Sequence, residues 1–375
     1  MITRTFKKTG EQLSHLGFGG MRFPVREDNT IDREKAGEML DYAYARGVNY
    51  YDTAYGYHNG ESAKFFGDFL CETRKNEIPR KSIKIANKFP LWGVNEKDDI
   101  QKIFDYQLAS LKTDYIDFYL MHAMNGELWE KSEKFGIYDF CRRKKEEGVV
   151  RNFGFSFHGS NETLIKMLDE GVWDFVQIQF NYLDYFTGSA KFEYDEITKR
   201  GIPVMVMEPI RGGSLAALPE EAMKILRSAT DSTPAEFALR FCSSFKNVLV
   251  ILSGMSTLEQ TKQNIETFEN IKPLSAEEMN AAMRIVAALE KGKFVPCTGC
   301  RYCVEECPMD IKIPEVFAEY NAYLAGIPSE GEKAPAVPDD LKESAANCIG
   351  CGSCAARCPQ GIAIPEIMDI IRNKA

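Results

Sequence analysis

The 375-residue sequence has no uninterrupted apolar stretch of the roughly 18 residues that a membrane-spanning helix needs. Its first residues, Met1 to Gly10, are polar and basic where a secretory leader would be apolar. A soluble, cytoplasmic protein is the expectation. Positive charge is in deficit: 46 Lys and Arg against 55 Asp and Glu leave a net charge of -9, with both signs interspersed and no basic stripe. Such a chain is poorly suited to neutralising phosphates, so nucleic acid is not an expected partner. Cysteine is nearly missing from the first 290 residues, where Cys71, Cys141 and Cys242 stand singly and read as core hydrophobes. The other eight of the 11 lie from Cys297 onward, which points to ligands rather than a disulfide framework. Also lacking is a G-x-G-x-x-G after a first strand: Gly17, Gly19 and Gly20 match it poorly and no helical pattern follows them.

What is present, from about Ile31 to Phe268, is an alternation of short apolar or β-branched runs with longer amphipathic stretches. Strands are expected at Val48 to Asp52, Ile83 to Lys88, Ile116 to Met121, Asn152 to Phe155, Phe175 to Gln179, Val204 to Met207 and Val248 to Leu252. An eighth fits near Leu16 to Gly20, and helical patterns such as Glu34 to Arg46, Lys97 to Ser110 and Tyr138 to Glu147 lie between the runs. Repeated βα units imply a parallel sheet, and eight of them suggest a (β/α)8 TIM barrel rather than an open doubly wound sheet. Ser275 to Lys291 reads as a last helix, ended by Gly292 and Pro296. The expected domains are therefore 1–290, an α/β barrel, and 291–375, a small and mainly helical module.

The module holds an internal repeat, since Cys297 to Val316 recurs as Cys348 to Ile367. Each copy ends in Cys-Pro and then Ile-x-Ile-Pro-Glu, which should open a helix, because proline is favoured in a first turn and acids suit its positive end. The runs are Cys297, Cys300, Cys303, Cys307-Pro308 and Cys348, Cys351, Cys354, Cys358-Pro359. Both have the C-x2-C-x2-C-x3-C-P spacing of bacterial two-cluster ferredoxins, in which the fourth thiolate of each run serves the other cluster. Two 4Fe-4S clusters are expected: one on Cys297, Cys300, Cys303 and Cys358, the other on Cys348, Cys351, Cys354 and Cys307. Zinc is the alternative ligand, but its sites more often pair two separated C-x2-C units or use histidine. With a helical stretch at Val316 to Leu324 between the runs, the module resembles a helical ferredoxin.

Asp52, Tyr57, Lys88 and His122 fall at or just beyond the ends of the first three clear strands. In a barrel those ends converge on the active site, bringing together an acid, a phenol, an amine and an imidazole. Tyr51-Asp-Thr-Ala-Tyr-Gly-Tyr57, the Lys88 strand end and Tyr119-Leu-Met-His122 resemble the catalytic tetrad segments of the aldo-keto reductase family. The resemblance runs from about Arg4 to Phe268, and with its tail the chain resembles the subgroup that ends in a ferredoxin-type domain. It implies hydride transfer between a nicotinamide and a carbonyl or alcohol. Tyr57 would be the general acid, with its phenolate stabilised by the Lys88 ammonium, Asp52 holding Lys88, and His122 orienting the carbonyl. Trp92 and Trp129 follow catalytic strands and are candidates for the pocket wall or for packing.

The resemblance also implies cofactor positions. Gly20, Met21 and Arg22 match the segment beside the cofactor after the first strand, with Asp52 nearby. Ser156 and Gln177 match the carboxamide contacts, with Phe157 where asparagine is common. Met207 takes the place of the ring-stacking aromatic, and Pro209, Ile210, Arg211, Gly212 and Gly213 match the pyrophosphate loop. Gly254, Met255, Ser256, Gln260 and Asn264 align with the adenosine segment. Gly254 and Gln260 replace the lysine and arginine that hold the 2'-phosphate in NADPH-preferring members, so the expectation leans to NADH or loose selectivity, unless Arg211 compensates.

The expected function is thus an iron-sulfur oxidoreductase with a small carbonyl or alcohol substrate and an electron-transfer partner protein. Hydride carries two electrons and a cluster one, so coupling them calls for a mediator such as a flavin, for which the sequence holds no motif. The rival expectation is an electron-transfer or redox-sensing protein that binds NAD(P)H without efficient carbonyl turnover.

Overall fold

The computed structural model describes residues 1–291, 294–325 and 336–373. Gly292, expected to end the last helix, lies outside the described residues. Two strands, β1 (Thr3–Phe6) and β2 (Glu11–Ser14), form an antiparallel hairpin. Eight more form a closed barrel: β3 (Leu16–Gly19), β4 (Tyr50–Asp52), β5 (Lys84–Phe89), β6 (Ile116–Met124), β7 (Val150–Phe157), β8 (Phe175–Gln179), β9 (Val204–Met207) and β10 (Val248–Gly254). Each pairs in parallel with its sequence neighbours, and β10 closes on β3 with Ile251 opposite Leu16 and Gly254 opposite Gly19. The (β/α)8 expectation holds, including the eighth strand near Leu16.

Alternate residues point inward, as the period of a strand requires. Tyr50, Ala86, Phe118, Leu120, Phe175, Met205, Val250 and Leu252 fill the barrel, joined by Phe6 and Leu13 of the hairpin. Phe6 packs on Phe118 with ring centroids 5.6 Å apart, so the hairpin stoppers the end of the barrel where the strands begin. The polar chemistry is left to the opposite end.

The helices follow from amphipathic patterns. Lys97–Leu111 buries Ile100, Ile103, Phe104, Gln107 and Leu111, and its first turn is capped by Asp99, whose carboxylate accepts from the backbone N–H groups of Asn95 and Glu96 at 2.9 and 3.0 Å. Among the described residues no helix is long and apolar enough to cross a membrane.

Two compact units result. The first comprises 1–209 and 238–274; the second comprises 210–237 and 275–375. In the second unit the helix Glu220–Ala229 packs along the helix Ala276–Lys291. A separate core gathers Val295, Phe317, Tyr320, Leu341, Ile364 and Ile371 between the helices Ile313–Ala325, Asp339–Ala346 and Ile364–Asn373. Both Ile-Pro-Glu sequences open helices as expected. The repeat extends to the backbone: left-handed φ occurs at Gly299, Arg301 and Asp310 in one copy and at Gly350, Gly352 and Gly361 in the other.

Candidate active site and cluster sites

The buried Lys88 ammonium is the hub of the barrel mouth. It donates to Asp52 Oδ1 at 2.6 Å, to the Thr53 carbonyl at 2.8 Å and to the Tyr57 hydroxyl at 3.3 Å, so its three N–H groups meet three oxygens. Its nitrogen also lies 4.7 Å from the centre of the Tyr57 ring. Burial pushes the Lys88 pKa down and the Asp52 pKa up, and the mutual attraction of the pair opposes both shifts. The pair is anchored from behind: Gln107 donates to the Lys88 carbonyl at 2.7 Å and accepts from the Tyr119 hydroxyl at 2.5 Å. Sequence reasoning missed Gln107, although a lone amide on the apolar face of Lys97–Leu111 was a readable signal.

His122 owes its placement to a bulge. Met121 pairs with Phe155 and Met124 with Phe157, so β6 spends one more residue than β7 there, and Ala123 takes a φ of 55°. The Ala123 N–H then donates to Ser156 Oγ at 2.8 Å. The His122 ring meets Tyr57 edge-on with centroids 6.1 Å apart and Trp92 at 5.0 Å. All four tetrad candidates and Trp92 are thus brought together. Trp129 is not: it packs against Tyr138 and Trp173 and donates to Glu170 at 3.0 Å.

Of the cofactor candidates, Ser156 and Gln177 are register neighbours on β7 and β8, both buried. Gln177 Nε2 lies 3.4 Å from Met207 Sδ, and its buried Oε1 has no hydrogen-bond partner. Gly20 sits at the end of β3, its N–H on the Asp52 carbonyl at 2.7 Å. Arg22 packs over Gly254, and its guanidinium is 3.3 Å from the carboxylate of Glu208, a residue the sequence reading passed over. Ser256 donates to the Arg22 carbonyl at 2.9 Å, and Gln260 accepts from the Ser256 N–H at 2.8 Å. Met255 is buried and Asn264 donates to Ser253 Oγ at 3.0 Å, so both face protein. Pro209 is buried two residues past the end of β9, while Ile210, Arg211 and Gly212 belong to the second unit.

The cysteines form two crossed sets. One small hollow is lined by Cys297, Cys300, Cys303 and Cys358, the other by Cys348, Cys351, Cys354 and Cys307. Among the described residues no three His, Cys, Asp or Glu side chains converge as a site for a single ion. Thiols spread around a hollow fit a cuboidal cluster. Burial, with Cys300, Cys297 and Cys358 adding to it, pushes the Cys303 thiol up to about 12, so holding it as a thiolate calls for a bound cation beside it.

Comparison with known proteins agrees with both halves. The Aldo/keto reductase family profile matches residues 15–287, and a 4Fe-4S dicluster domain matches residues 296–363. The chain belongs to the aldo-keto reductase family. It is an NAD(P)H-dependent oxidoreductase of that type with an iron-sulfur dicluster domain. Among its relatives, the oxidoreductase YqkF of Bacillus subtilis is 25% identical over 299 residues, spanning 72% of this chain and 91% of the relative. L-galactose dehydrogenase of Arabidopsis thaliana is 23% identical over 73% of this chain and 90% of its own. The aldo-keto reductase AKR11C1 of Bacillus halodurans, in its holo form, superimposes with a TM-score of 0.63 at 27% identity, covering 76% of this chain and 96% of that one.

Proposed function

We propose that the barrel reduces a small carbonyl compound, or oxidises the corresponding alcohol, with Tyr57 as the general acid or base. The observation that carries this reading is the Lys88 ammonium held between Asp52 at 2.6 Å and the Tyr57 hydroxyl at 3.3 Å. A bound nicotinamide supplies or accepts the hydride. As charge develops on the substrate oxygen, Tyr57 gives it a proton, and the adjacent ammonium stabilises the phenolate that remains. Asp52 keeps that ammonium in place, and His122 orients the carbonyl beside Trp92. Ser156 and Gln177 suit the carboxamide: the unpartnered Gln177 Oε1 can accept its N–H, while Ser156 Oγ, already accepting from Ala123, can donate to its oxygen.

The preferred cofactor is NADH. Gly254 and Gln260 offer no charge to a 2'-phosphate, and the cation that packs over Gly254, Arg22, faces Glu208. The domain boundary for function falls near residue 291, with the barrel binding substrate and the crossed cysteine sets binding two clusters. Cys351 is exposed and Ile349 is 63% exposed beside the second hollow, which favours that cluster for one-electron exchange with a partner protein. Hydride chemistry in the barrel and single-electron chemistry at the clusters are separate reactions in this proposal.

The test is anaerobic turnover of the iron-loaded protein with a panel of aldehydes and ketones. Oxidation of NADH should match alcohol formation one to one, with a higher kcat/KM for NADH than for NADPH. Cofactor oxidation without alcohol would instead support the redox-sensing alternative.

A further inference from the structure

The loop after β9 has an unusual backbone. Ile210, at φ -109° and ψ 9°, is followed by Arg211 at φ 48°, a right-handed then left-handed pair of the kind that turns consecutive N–H groups to one side in anion-binding nests, and Gly212 and Gly213 continue at φ 65° and 96°. Within the loop, Gly213 and Leu215 donate to the Ile210 carbonyl at 3.0 and 3.2 Å, and Ser214 Oγ to the Arg211 carbonyl at 2.8 Å. A non-glycine residue at φ 48° costs energy and persists where its surroundings hold it. The surroundings here are the iron-sulfur module. A Cβ built on Gly212 would lie 2.1 Å from the Thr298 carbonyl oxygen and 2.6 Å from its Cα, so the backbone of Thr298 rests directly on Gly212. Thr298 is itself 2% exposed.

Thr298 is the residue between two cluster cysteines. Cys297 and Cys300 line the first hollow, and the Gly299 N–H donates to Cys297 Sγ at 3.4 Å. Upstream, Asn321 clamps Val295 through both its backbone groups, accepting at 2.8 Å and donating at 2.9 Å. The start of the loop is thereby pinned to the helix Ile313–Ala325.

We infer that the pyrophosphate of the dinucleotide, at the Arg211–Gly213 loop, and the cluster held by Cys297, Cys300, Cys303 and Cys358 are thermodynamically coupled through the Gly212–Thr298 contact. Thr298 is then a positioning residue for the cofactor, and of the two clusters this one responds to dinucleotide. The inference rests on the nicotinamide reading above. Its sign follows from charge: one electron added to the cluster is a negative charge near a loop that binds an anion, so reduction weakens dinucleotide binding. Coupling is reciprocal, so bound dinucleotide must make that cluster harder to reduce by the same factor.

The experiment is a redox titration of the full iron-loaded protein by electron paramagnetic resonance, with and without NAD⁺, alongside a direct NAD⁺ binding isotherm. The expected result is a lowering of one cluster's potential, with the other unmoved. A tenfold weakening of binding on reduction corresponds to about 59 mV for a one-electron couple. Gly212→Ala should displace Thr298, abolishing the shift and altering the spectrum of that cluster. Gly213→Ala, whose added methyl meets nothing within 4 Å, should weaken NAD⁺ binding and leave the cluster spectrum as it was. NAD⁺ binding with neither potential moved would overturn the coupling while leaving the nicotinamide reading intact. No NAD⁺ binding at all would overturn both.

Discussion

The Lys88 ammonium lies 3.3 Å from the Tyr57 hydroxyl, joining a fully buried cation to a phenol that is only half-buried. A phenol so placed can face substrate on one side and a fixed positive charge on the other. Replacing Tyr57 with Phe keeps the ring packed against His122 and removes the hydroxyl, and with it both the proton and the oxygen that accepts from Lys88. Turnover should fall by roughly 10²–10⁴-fold, the usual worth of a general acid, with NADH affinity unchanged. Pre-steady-state hydride transfer and a fluorescence binding titration measure the two quantities, and equal turnover by the variant would remove Tyr57 from the mechanism.

Lys88 and Asp52 are each at most 4% exposed in their side chains, so the two single variants leave different debris. Lys88→Met strands a buried carboxylate and should cost about 3–5 kcal/mol of stability. Adding Asp52→Asn to it removes that charge and should restore much of the loss, while both proteins stay inactive. Chemical denaturation of the two variants side by side decides it; a double variant less stable than Lys88→Met would mean that the carboxylate has another partner.

The strands and the meeting of the four tetrad candidates were legible because both are written locally: apolar runs at regular intervals, with Asp52, Lys88 and His122 closing three of them. The cysteine sets were legible from spacing alone. What was hidden depends on pairing across the chain. The β6 bulge cannot be seen in Met121-His122-Ala123-Met124: the expected strand stops at Met121, and its continuation to Met124 shows only once β7 is laid beside it. The β1–β2 hairpin was missed because Thr3–Phe6 and Glu11–Ser14 are short and polar, with burial confined to Phe6, Leu13 and Ser14. Likewise, residues 210–237 join the second compact unit because Glu220–Ala229 finds the helix Ala276–Lys291, more than forty residues later.

The crossed cysteine sets make an unequal prediction for substitutions within one run. Cys307→Ser should damage the cluster whose other ligands are Cys348, Cys351 and Cys354, leaving the cluster of its own run in place. Cys358→Ser should do the reverse. Iron content should drop from about eight to about four or five per chain in each case, as for two-cluster ferredoxin motifs. The surviving paramagnetic signals of the two variants should differ from one another, and identical signals would refute the crossed assignment.

Buried His15 and Glu193 and half-buried His158 pull the pH response of stability in opposite directions. His15 is lowered to about 3, by burial first and then by Arg4, and His158 to about 4 by burial. The His15 ring is bonded at 3.0 Å to the Leu249 carbonyl, which can only accept, and at 3.0 Å to the Ser243 hydroxyl, a set that suits the neutral imidazole. Below pH 6.5 the unfolded chain takes up protons that these folded rings refuse, so stability falls as the pH falls. The unfolded rings are already half protonated at pH 6.5, so each contributes about 1 kcal/mol between pH 6.5 and 5.5 and the loss is roughly 2 kcal/mol. Glu193 works the other way: burial raises it to about 7, the folded state holds a proton that the unfolded state releases above 4.5, and stability rises as the pH falls from 7. That offsets roughly 2 kcal/mol by pH 5.5. Between pH 7.5 and 5.5 these three contributions should therefore largely offset one another in the chemical denaturation midpoint, leaving the smaller loss from His58, which burial also lowers. Glu193→Gln should become clearly less stable on acidification, and His15→Gln should become more stable. If both variants track the parent, neither group is buried in the protonation state assigned to it.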